Sequence, residues 1–586
     1  MIGSHTISPR DFALLSAGGG DRRAIETLIA GQFSRRMLLL QAVRESARAS
    51  LGTLASLDTA YTLLADVQHE RPDVIRTVLT LPCVGLWAAA CLRDGGDHTH
   101  RYLSCLAATA ALRANRGFEI EVPVWDGMVC LPTLGSVSLR TPGAQTACIQ
   151  SLSNGDAVVV SGEESIRIPL GDKTIAPGWR PVRQLRASAQ GLELRVWLED
   201  AGPFRGPAGL LLAAPLTQDQ VTQWEHVLHS AWRLLVRRHP EHAEAISTGL
   251  RVLTPMTSLS EGASTSVTAA DAFGAVLLTP PSDAESLALT LLHESQHGKL
   301  AALHHLVPLH TNDSRARWYA RWRDDPRPLN ALLHGAYAHL GVAGFWYEAM
   351  RSGGEPLRSM AAEELVYWCD AVDEALDQLS SSGALTHAGT RFIAGMASTL
   401  AQLGSARIPG APRRQAVDRG MCDRMTWRMR HLRPDPVVTD RHAHAWLNES
   451  KPAGTPEMTT VTLCAGERGP LGSTRLLRAR RTTRDDLGNG PRPTTADIDY
   501  AQGRHKQALA GYKRQLTRNP GDPGGWAGLA LALRDGEAYK AASFLADYPE
   551  LVRAIALRVR ALGGGSADPV VLTQWIADVG TEPSVR

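Results

Sequence analysis

The sequence predicts a mainly α, multidomain protein of the α+β class. Its 586 residues exceed what one hydrophobic core can organise, so several domains are expected. Apolar residues recur at helical spacing through most of the chain, whereas residues 116–205 alternate between apolar and polar positions in short runs. We therefore expect a helical domain that carries an H-E-x-x-H motif, a small β-rich domain or insertion, and a C-terminal helical module.

The N-terminal region, residues 1–115, is predicted to be helical. Asp21 fits a helix N-cap, and Ile25, Leu28 and Phe33 follow it at helical spacing. The preceding glycine triplet at 18–20 is interpreted as a turn, because a phosphate-binding loop would need a strand before it and a Lys-Ser/Thr ending.

The spacing of apolar residues changes twice in the middle of the chain. Residues 116–205 contain alternating runs such as 119–122 and 192–196, which are typical of a β-rich domain or insertion. Residues 206–450 return to helical spacing, with a strand-like run at 273–278 just before the helix of interest. We interpret 206–450 as a metal-binding catalytic domain.

The C-terminal part is predicted to contain a linker and a helical module. Between 451 and 500 the Gly, Pro, Thr and Arg content rises and apolar periodicity fades, so this segment is interpreted as a linker. It carries a solvated basic run that consists of Arg475, Arg478, Arg480, Arg481 and Arg484. Residues 501–586 contain a helix pair divided by a turn at 519–523, which resembles one tetratricopeptide unit. A capping role and a partner-binding role both stay open for it.

Composition excludes some partners. The chain is 44% hydrophobic, and its 62 basic and 59 acidic residues leave a net charge of +3, with no basic excess that would indicate nucleic acid. The longest apolar stretch, at about 78–92, is interrupted by Pro82 and Gly85 and is too short to span a bilayer. The first residues lack the pattern of a secretion signal, so we expect a cytoplasmic protein with no membrane partner.

A metal-binding motif lies at His293-Glu294-Ser295-Gln296-His297. Ser282 and Glu285 form a capping-box pattern at the start of its helix. An i, i+4 spacing places His293 and His297 on one helical face, where two imidazoles can converge on one ion. Glu294 projects to the side, where it can meet a metal-bound water or a substrate.

A third protein ligand is needed for an open metal site. The pattern of metzincin peptidases would require Gly at 300 and His at 303, and both positions are leucine. We favour His334, which lies in the next apolar helix. The alternatives are His310, Glu348, Glu363 and Glu364.

Two stretches carry a family resemblance: LLHESQHGKLAALHHLVPLH from Leu291, and WYARWRDDPRPLNALLHGAYAHLGVAGFW from Trp318. They resemble the bacterial H-E-x-x-H peptide-modification family, whose members belong to gene clusters for ribosomally synthesised, post-translationally modified peptides. GGGDRRAIETLIAGQFSRRMLLL and WRMRHLRPDP resemble the same family. The resemblance covers about three quarters of the chain and implies β-hydroxylation of a precursor peptide with Fe(II), 2-oxoglutarate and O2.

The implied chemistry makes demands on the site. Iron that binds 2-oxoglutarate through two atoms and leaves a position for O2 accepts at most three protein ligands. The distal carboxylate of 2-oxoglutarate calls for a cation or a hydroxyl, for which Arg323 and Arg327 are the candidates, with Tyr337 and Tyr319 as lesser ones. Either arginine could instead pair with a neighbouring aspartate. Three histidines depart from the usual two-histidine, one-carboxylate set, so Glu294 could also be a ligand or support one.

Two alternative functions stay open from the sequence. The motif alone favours a zinc peptidase, in which zinc polarises a water molecule and Glu294 serves as the general base. The other alternative is a noncatalytic scaffold that binds peptides, with a structural metal or none.

Overall fold

The computed structural model describes residues 5–47, 51–94, 96–170, 176–258, 265–311, 315, 317–452, 469–480 and 491–578, without the side chains of 51–54, 94 and 97. The chain forms two compact units. The first comprises Met1–Leu309 and His387–Met396, and the second comprises His310–Thr386 and Ala397–Arg586. Helices dominate and a β-rich region follows the N-terminal helices, so the predicted α+β class is confirmed. The five-part division predicted from sequence stays a prediction.

The first unit begins with a helical layer, as predicted for residues 1–115. The Asp21 side chain accepts a hydrogen bond from Ala24 N at 3.0 Å and caps α2, which confirms its predicted role. The glycine triplet forms the turn between α1 and α2, with φ angles of 84° at Gly18 and 136° at Gly20 that only glycine adopts easily. The helices are α1 (Pro9–Ser16), α2 (Arg22–Ser46), α3 (Leu51–Glu70), α4 (Pro72–Leu79), α5 (Pro82–Asp94), α6 (Asp97–His100) and α7 (Leu103–Arg113).

The β-rich region follows α7 and forms two antiparallel sheets and part of a third. The four-stranded sheet has the order β1-β4-β5-β6, and the three-stranded sheet has the order β2-β3-β7. Alternate residues of β1, β4 and β5 are buried against the helical layer, because successive side chains in a strand point to opposite faces. The strands are β1 (Glu119–Pro123), β2 (Met128–Leu131), β3 (Gly135–Ser138), β4 (Thr146–Ser151), β5 (Ala157–Ser161), β6 (Glu164–Ile168), β7 (Trp179–Pro181), β8 (Arg183–Ala189) and β9 (Leu192–Leu198).

The third sheet supports the helix of interest. Its order is β11-β12-β10-β9-β8, and the central strand β10 runs parallel to both of its neighbours. All four residues of β10 and of β12 are buried, as expected for strands covered on both faces. The elements are α8 (Gln218–Arg238), α9 (Pro240–Gly249), β10 (Val252–Pro255), β11 (Ser266–Val267), β12 (Ala275–Leu278) and α10 (Ala284–His304).

The described elements of the second unit are helices. Its hydrophobic core joins Met425 and Met429 of α14 to C-terminal residues such as Trp526 and Ile555. The tetratricopeptide-like pair predicted at 501–533 is present as α18 and α19. The helices are α11 (Leu329–Ser352), α12 (Leu357–Ser381), α13 (His387–Gly404, whose first ten residues belong to the first unit), α14 (Gly410–His431), α15 (Pro436–Leu447), α16 (Thr474–Arg480), α17 (Thr495–Ala501), α18 (His505–Arg518), α19 (Pro523–Asp535), α20 (Tyr539–Asp547), α21 (Pro549–Ala561) and α22 (Pro569–Ala577).

The predicted solvated basic run is wrong for two of its arginines. Arg475 pairs with Asp522 at 3.2 Å and Arg480 pairs with Glu363 at 3.3 Å, and both guanidinium groups are largely buried. The composition of a segment says nothing about partners that are distant in sequence. The carboxylates that bury these two arginines were therefore not foreseen. Arg481 and Arg484 lie outside the described residues.

The apolar stretch at 78–92 falls in α4 and α5. No single helix in the described ranges is long and apolar enough to cross a membrane, and α4 with α5 passes that test only as a pair bent by 64°.

Candidate functional site

The H-E-x-x-H motif lies in the middle of α10, which follows directly from β12. The predicted capping box is wrong in one detail: Asp283, not Ser282, is the N-cap, and its side chain accepts a hydrogen bond from Ser286 N at 2.8 Å. A carboxylate suits this position because it satisfies a free N–H and complements the positive end of the helix dipole. The buried apolar face consists of Leu287, Leu291, Leu292, Leu300 and Leu303.

The two motif histidines meet as the i, i+4 spacing predicts. Nε2 of His293 and Nε2 of His297 are 3.1 Å apart, and the two rings are nearly perpendicular, at 77°. Both side chains are partly buried, and burial lowers the pKa of His293, whereas the nearby Glu294 carboxylate raises it. A lowered pKa favours the neutral imidazole, the form that binds a metal ion.

The spacing of the pair fits a metal ion. The two Nε2 atoms are close enough for both to bind one ion, and imidazole nitrogen suits both iron and zinc. Within the described ranges, no group of three or more His, Cys, Asp or Glu side chains is placed to hold a metal. The third ligand therefore stays a prediction.

Glu294 has hydroxyl partners on the polar segment beside α10, in β11 and directly after it. Ser266 Oγ donates to one carboxylate oxygen at 2.6 Å, and Thr268 Oγ1 donates to the other at 2.5 Å. Only 3% of Glu294 is exposed, and the residue borders a cavity of about 30 Å³, which has room for one or two water molecules. Both oxygens are thus engaged by protein donors.

Two further residues of the motif segment fix α10 to the N-terminal turn. Gln296 Nε2 donates to Gly18 O at 3.0 Å, and Lys299 Nζ donates to Gly18 O at 2.9 Å and to Gly19 O at 2.7 Å. Burial lowers the pKa of Lys299 to about 7, and Glu241 partly opposes this shift. The conformation that the glycines allow exposes their carbonyls to the buried lysine, so this turn is an anchor for the histidine helix.

The favoured third ligand, His334, lies in the second unit on the first turns of α11. The predicted helix is present, and His334 is partly buried within it. Tyr337, a candidate for 2-oxoglutarate binding, is fully buried on the same helix. Burial raises the pKa of Tyr337, so its hydroxyl stays protonated and can donate a hydrogen bond.

A further histidine on α11, His339, is held between two tryptophans. Its ring stacks on Trp322 at 4.5 Å and on Trp368 at 4.3 Å, and its Nδ1 is 2.8 Å from Gly335 O. That contact fixes the proton on Nδ1, because a carbonyl can only accept. The stack fixes the orientation of α11 near His334.

Arg323 and Arg327 share one carboxylate. Arg323 Nε donates to Asp325 Oδ1 and Arg327 Nη1 donates to Asp325 Oδ2, each at 3.1 Å. Trp318 and Arg327 each donate a backbone N–H to the carbonyl oxygen of the other. These two bonds close the loop that contains both arginines. Asp325 therefore competes with an incoming carboxylate, and a 2-oxoglutarate role for either arginine stays a prediction.

The alternative third ligands are engaged in other contacts. His310 Nε2 is 3.1 Å from Asn330 Oδ1. The three carboxylate alternatives each face an arginine: Glu348 with Arg351 at 3.1 Å, Glu363 with Arg480 at 3.3 Å, and Glu364 with Arg419 at 2.5 Å. A carboxylate can ligate a metal through one oxygen while the other accepts from an arginine, so these ion pairs leave the three carboxylates as alternatives.

Sequence reasoning did not identify Ser266, Thr268, Gln296 or Lys299. Ser266 and Thr268 are two residues apart in a polar run, which is the period of one strand face, but nothing local assigns them to Glu294. Lys299 offered a clearer signal, because a lone lysine within the apolar run of α10 must find a buried partner.

Comparison with known proteins adds no family assignment. No protein-family model matches the chain, and no curated protein matches it.

Proposed function

We propose that this protein is an Fe(II)- and 2-oxoglutarate-dependent enzyme that hydroxylates the β-carbon of a residue in a ribosomally synthesised precursor peptide. The observation that carries the proposal is the histidine pair of α10, whose Nε2 atoms are 3.1 Å apart and could both hold one ion. The family resemblance of the surrounding segments supports the choice of iron and 2-oxoglutarate. His293 and His297 would hold the ion, with His334 as the expected third ligand.

Bound iron would supply the activation of O2 that hydroxylation needs. The residues of this chain have supporting tasks. His293 and His297 provide neutral nitrogen donors, and the buried leucine face of α10 keeps them on one side of the helix. Arg323 or Arg327 would receive the distal carboxylate of 2-oxoglutarate as a charge-assisted hydrogen bond donor.

The contacts of Glu294 support a positioning role. Each of its carboxylate oxygens accepts one short hydrogen bond, from Ser266 and from Thr268, and these bonds hold the side chain beside the polar segment that begins with β11. Each oxygen keeps a second lone pair, so the zinc peptidase stays the alternative that the experiment below separates. We infer that Glu294 positions the histidine helix against the neighbouring strand.

The experiment that tests the function is mass spectrometry of the precursor peptide encoded beside the enzyme. The peptide is incubated with enzyme, Fe(II), ascorbate and O2, with and without 2-oxoglutarate. We expect the mass of one oxygen atom to be added only when 2-oxoglutarate is present. Two shorter fragments formed without 2-oxoglutarate and restored by zinc would establish the peptidase instead.

Metal binding is tested separately from activity. We expect anaerobically loaded protein to retain one equivalent of Fe(II), and His293→Ala and His297→Ala to lose it, as measured by elemental analysis after gel filtration. His229→Ala is the matched control, because His229 is an exposed histidine on α8. Unchanged iron content in both motif variants would contradict the assignment.

A further inference from the structure

Strand β8 is an outer strand of the third sheet, and one of its edges pairs with no strand in the described part of the chain. β8 and β9 form a hairpin whose two-residue turn, Gln190-Gly191, has φ angles of 47° and 80°. Such a turn places a hydrogen-bonded pair at its base, here Ala189 and Leu192, and bonded pairs then alternate along both strands. Pairing with β9 therefore uses the backbones of residues 183, 185, 187 and 189.

The other residues of β8, which are Gln184, Arg186 and Ser188, direct their backbone N–H and C=O groups to the outer edge. The register supports this orientation, because Trp197, the partner of Gln184, donates its N–H to Arg251 O at 2.8 Å, on the side away from β8. No described residue outside the hairpin bonds to these three backbones. The edge thus presents a row of free backbone groups, which is what an added strand pairs with.

The side chains at this edge are positively charged. Arg186 lies directly opposite Arg195 of β9, and both are exposed on the same face of the hairpin. Like charges directly opposite each other in a sheet are destabilising. Glu193 relieves part of this repulsion, since Arg195 donates to it at 2.6 Å and the charge of Arg186 also acts to lower its pKa. One carboxylate for two arginines leaves this face with a net positive charge.

The guanidinium of Arg186 has room for a further acceptor. Its Nε donates to Gln184 Oε1 at 3.0 Å, and among the described residues it forms no ion pair. The two terminal nitrogens of a guanidinium carry donors that match a carboxylate. A charged acceptor beside Arg186 is therefore favoured at the same edge that has free backbone groups.

We propose that the outer edge of β8 binds an extended peptide segment with acidic residues at alternate positions. In a strand added antiparallel to β8, alternate side chains stand beside Gln184, Arg186 and Ser188, at about 5 Å between Cβ atoms. A glutamate or aspartate beside Arg186 gives it the carboxylate that the fold does not provide. This binding requires no metal and no 2-oxoglutarate, so the inference goes beyond the proposed function.

A second copy of the chain fits this edge less well than an acidic peptide does. Antiparallel pairing of two β8 edges about their centre would place Arg186 of one copy directly opposite Arg186 of the other. Repulsion between like charges opposes that contact, and charged side chains on edge strands have this effect in many sheets. An acidic strand avoids the repulsion and gains an opposite charge.

The test is fluorescence anisotropy of a labelled peptide, Gly-Glu-Val-Glu-Val-Glu-Gly, titrated with metal-free full-length protein at low ionic strength, because salt screens exposed charges. We expect saturable binding. In antiparallel pairing the N–H groups of the glutamates face β8, so N-methylation of the three glutamates should weaken binding at least about tenfold. N-methylation of the two valines, whose N–H groups face away, is the matched control and should change affinity less than about threefold. Glutamine in place of glutamate should weaken binding about fivefold.

A charge reversal assigns the binding to β8. Arg186→Glu should weaken binding about tenfold, because an attraction is replaced by a repulsion. The same change should not lower the melting temperature, since a carboxylate opposite Arg195 removes the repulsion between the two arginines. Arg93→Glu, at an exposed arginine of α5, is the control and should bind as the wild type does.

Three results would overturn the proposal. Unchanged affinity after N-methylation of the glutamates would show that charge alone holds the peptide. Unchanged affinity of Arg186→Glu would place the peptide elsewhere on the protein. Absence of peptide binding, together with a dimer in sedimentation velocity, would assign the edge to a second copy of the chain.

Discussion

The hydroxyl partners of Glu294 hold its carboxylate beside the polar segment that begins with β11. A buried carboxylate costs free energy unless donors satisfy it, and Ser266 and Thr268 provide two such donors. Each hydrogen bond to a charged group typically contributes about 1.5–3 kcal/mol. These bonds stabilise the fold around the histidine pair.

We expect Glu294→Gln to lower the free energy of unfolding of metal-free protein by about 1–2 kcal/mol, because a neutral amide accepts more weakly than a carboxylate. Chemical denaturation measures this effect. Addition of oxygen to the peptide should persist in the variant, with Glu225→Gln on the exposed face of α8 as the control. Complete loss of product from a folded, iron-loaded Glu294→Gln protein would contradict a positioning role.

Glu199 makes stability depend on pH. Burial raises the pKa of Glu199 to about 8, and the carboxylate of Asp200 contributes to the shift. In the unfolded chain the group titrates near 4.3, so between about pH 4.3 and pH 8 the folded state binds more protons than the unfolded state. The contribution of Glu199 to the free energy of unfolding is therefore greatest below about pH 4.3 and decreases as pH rises through that window.

Glu199→Gln should remove this dependence, because an amide does not titrate. We expect the melting temperature of the variant to exceed that of the wild type by an amount that grows from pH 5 to pH 8 and then levels off. Differential scanning calorimetry across pH 5–9 measures the difference. A difference that stays constant over this range would show that Glu199 is ionised in the folded protein throughout.

At the scale of one element, α11 contains one glycine that is closely packed against a neighbouring side chain and one that faces open space. A Cβ added at Gly335 would lie 2.4 Å from the Trp322 ring, which stacks on His339, whereas a Cβ at Gly344 would meet nothing within 4 Å. Both glycines are interior to the same helix. Their helix propensities are therefore equal, and only the packing differs.

This pair of glycines provides a matched test. We expect Gly335→Ala to destabilise the protein by about 1–3 kcal/mol through overpacking. Gly344→Ala should stabilise it by about 0.5–1 kcal/mol, because alanine loses less backbone entropy in a helix. Urea denaturation of both variants checks the signs, and a stabilising Gly335→Ala would mean that Trp322 can move away freely.

Features that depend on a local pattern could be predicted from the sequence, and contacts between distant residues could not. The histidine pair was predictable because an i, i+4 relation depends on one helix alone, and the turn at 18–20 was predictable from its glycines. The partners of Glu294 and Lys299 were not, since Ser266 lies 28 residues from Glu294 and Gly18 lies 281 residues from Lys299. No spacing rule connects such positions, and the same is true of the carboxylates that bind Arg475 and Arg480.

At the scale of the molecule, the C-terminal helices are part of the second core. Asp418 of α14 joins them through buried contacts: it accepts from Arg534 of α19 at 2.7 Å and from the Tyr500 hydroxyl at 3.0 Å, and it pairs with Arg480 of α16 at 3.4 Å. The predicted tetratricopeptide-like module is therefore continuous with the helices that precede it.

We expect Asp418→Asn to destabilise the protein by about 1–3 kcal/mol, because Arg480 and Arg534 lose their shared carboxylate but keep Glu363 and Asp535 as partners. Asp547→Asn, at an exposed aspartate of α20, is the control and should change stability by less than about 0.5 kcal/mol. Equal urea midpoints for the two variants would show that the network contributes little.

The first unit is discontinuous in sequence, and this has a consequence for synthesis on the ribosome. Phe392 packs edge to face on Phe12 at 6.0 Å, and Gly395 approaches Ser16 so closely that no side chain would fit between them. A nascent chain therefore cannot cover the Phe12 face of α1 until residue 396 has left the exit tunnel, long after residue 309 has been made. Over that interval α1 presents an apolar surface, so folding of the histidine-bearing unit should depend on chaperone binding or translation rate between residues 310 and 396.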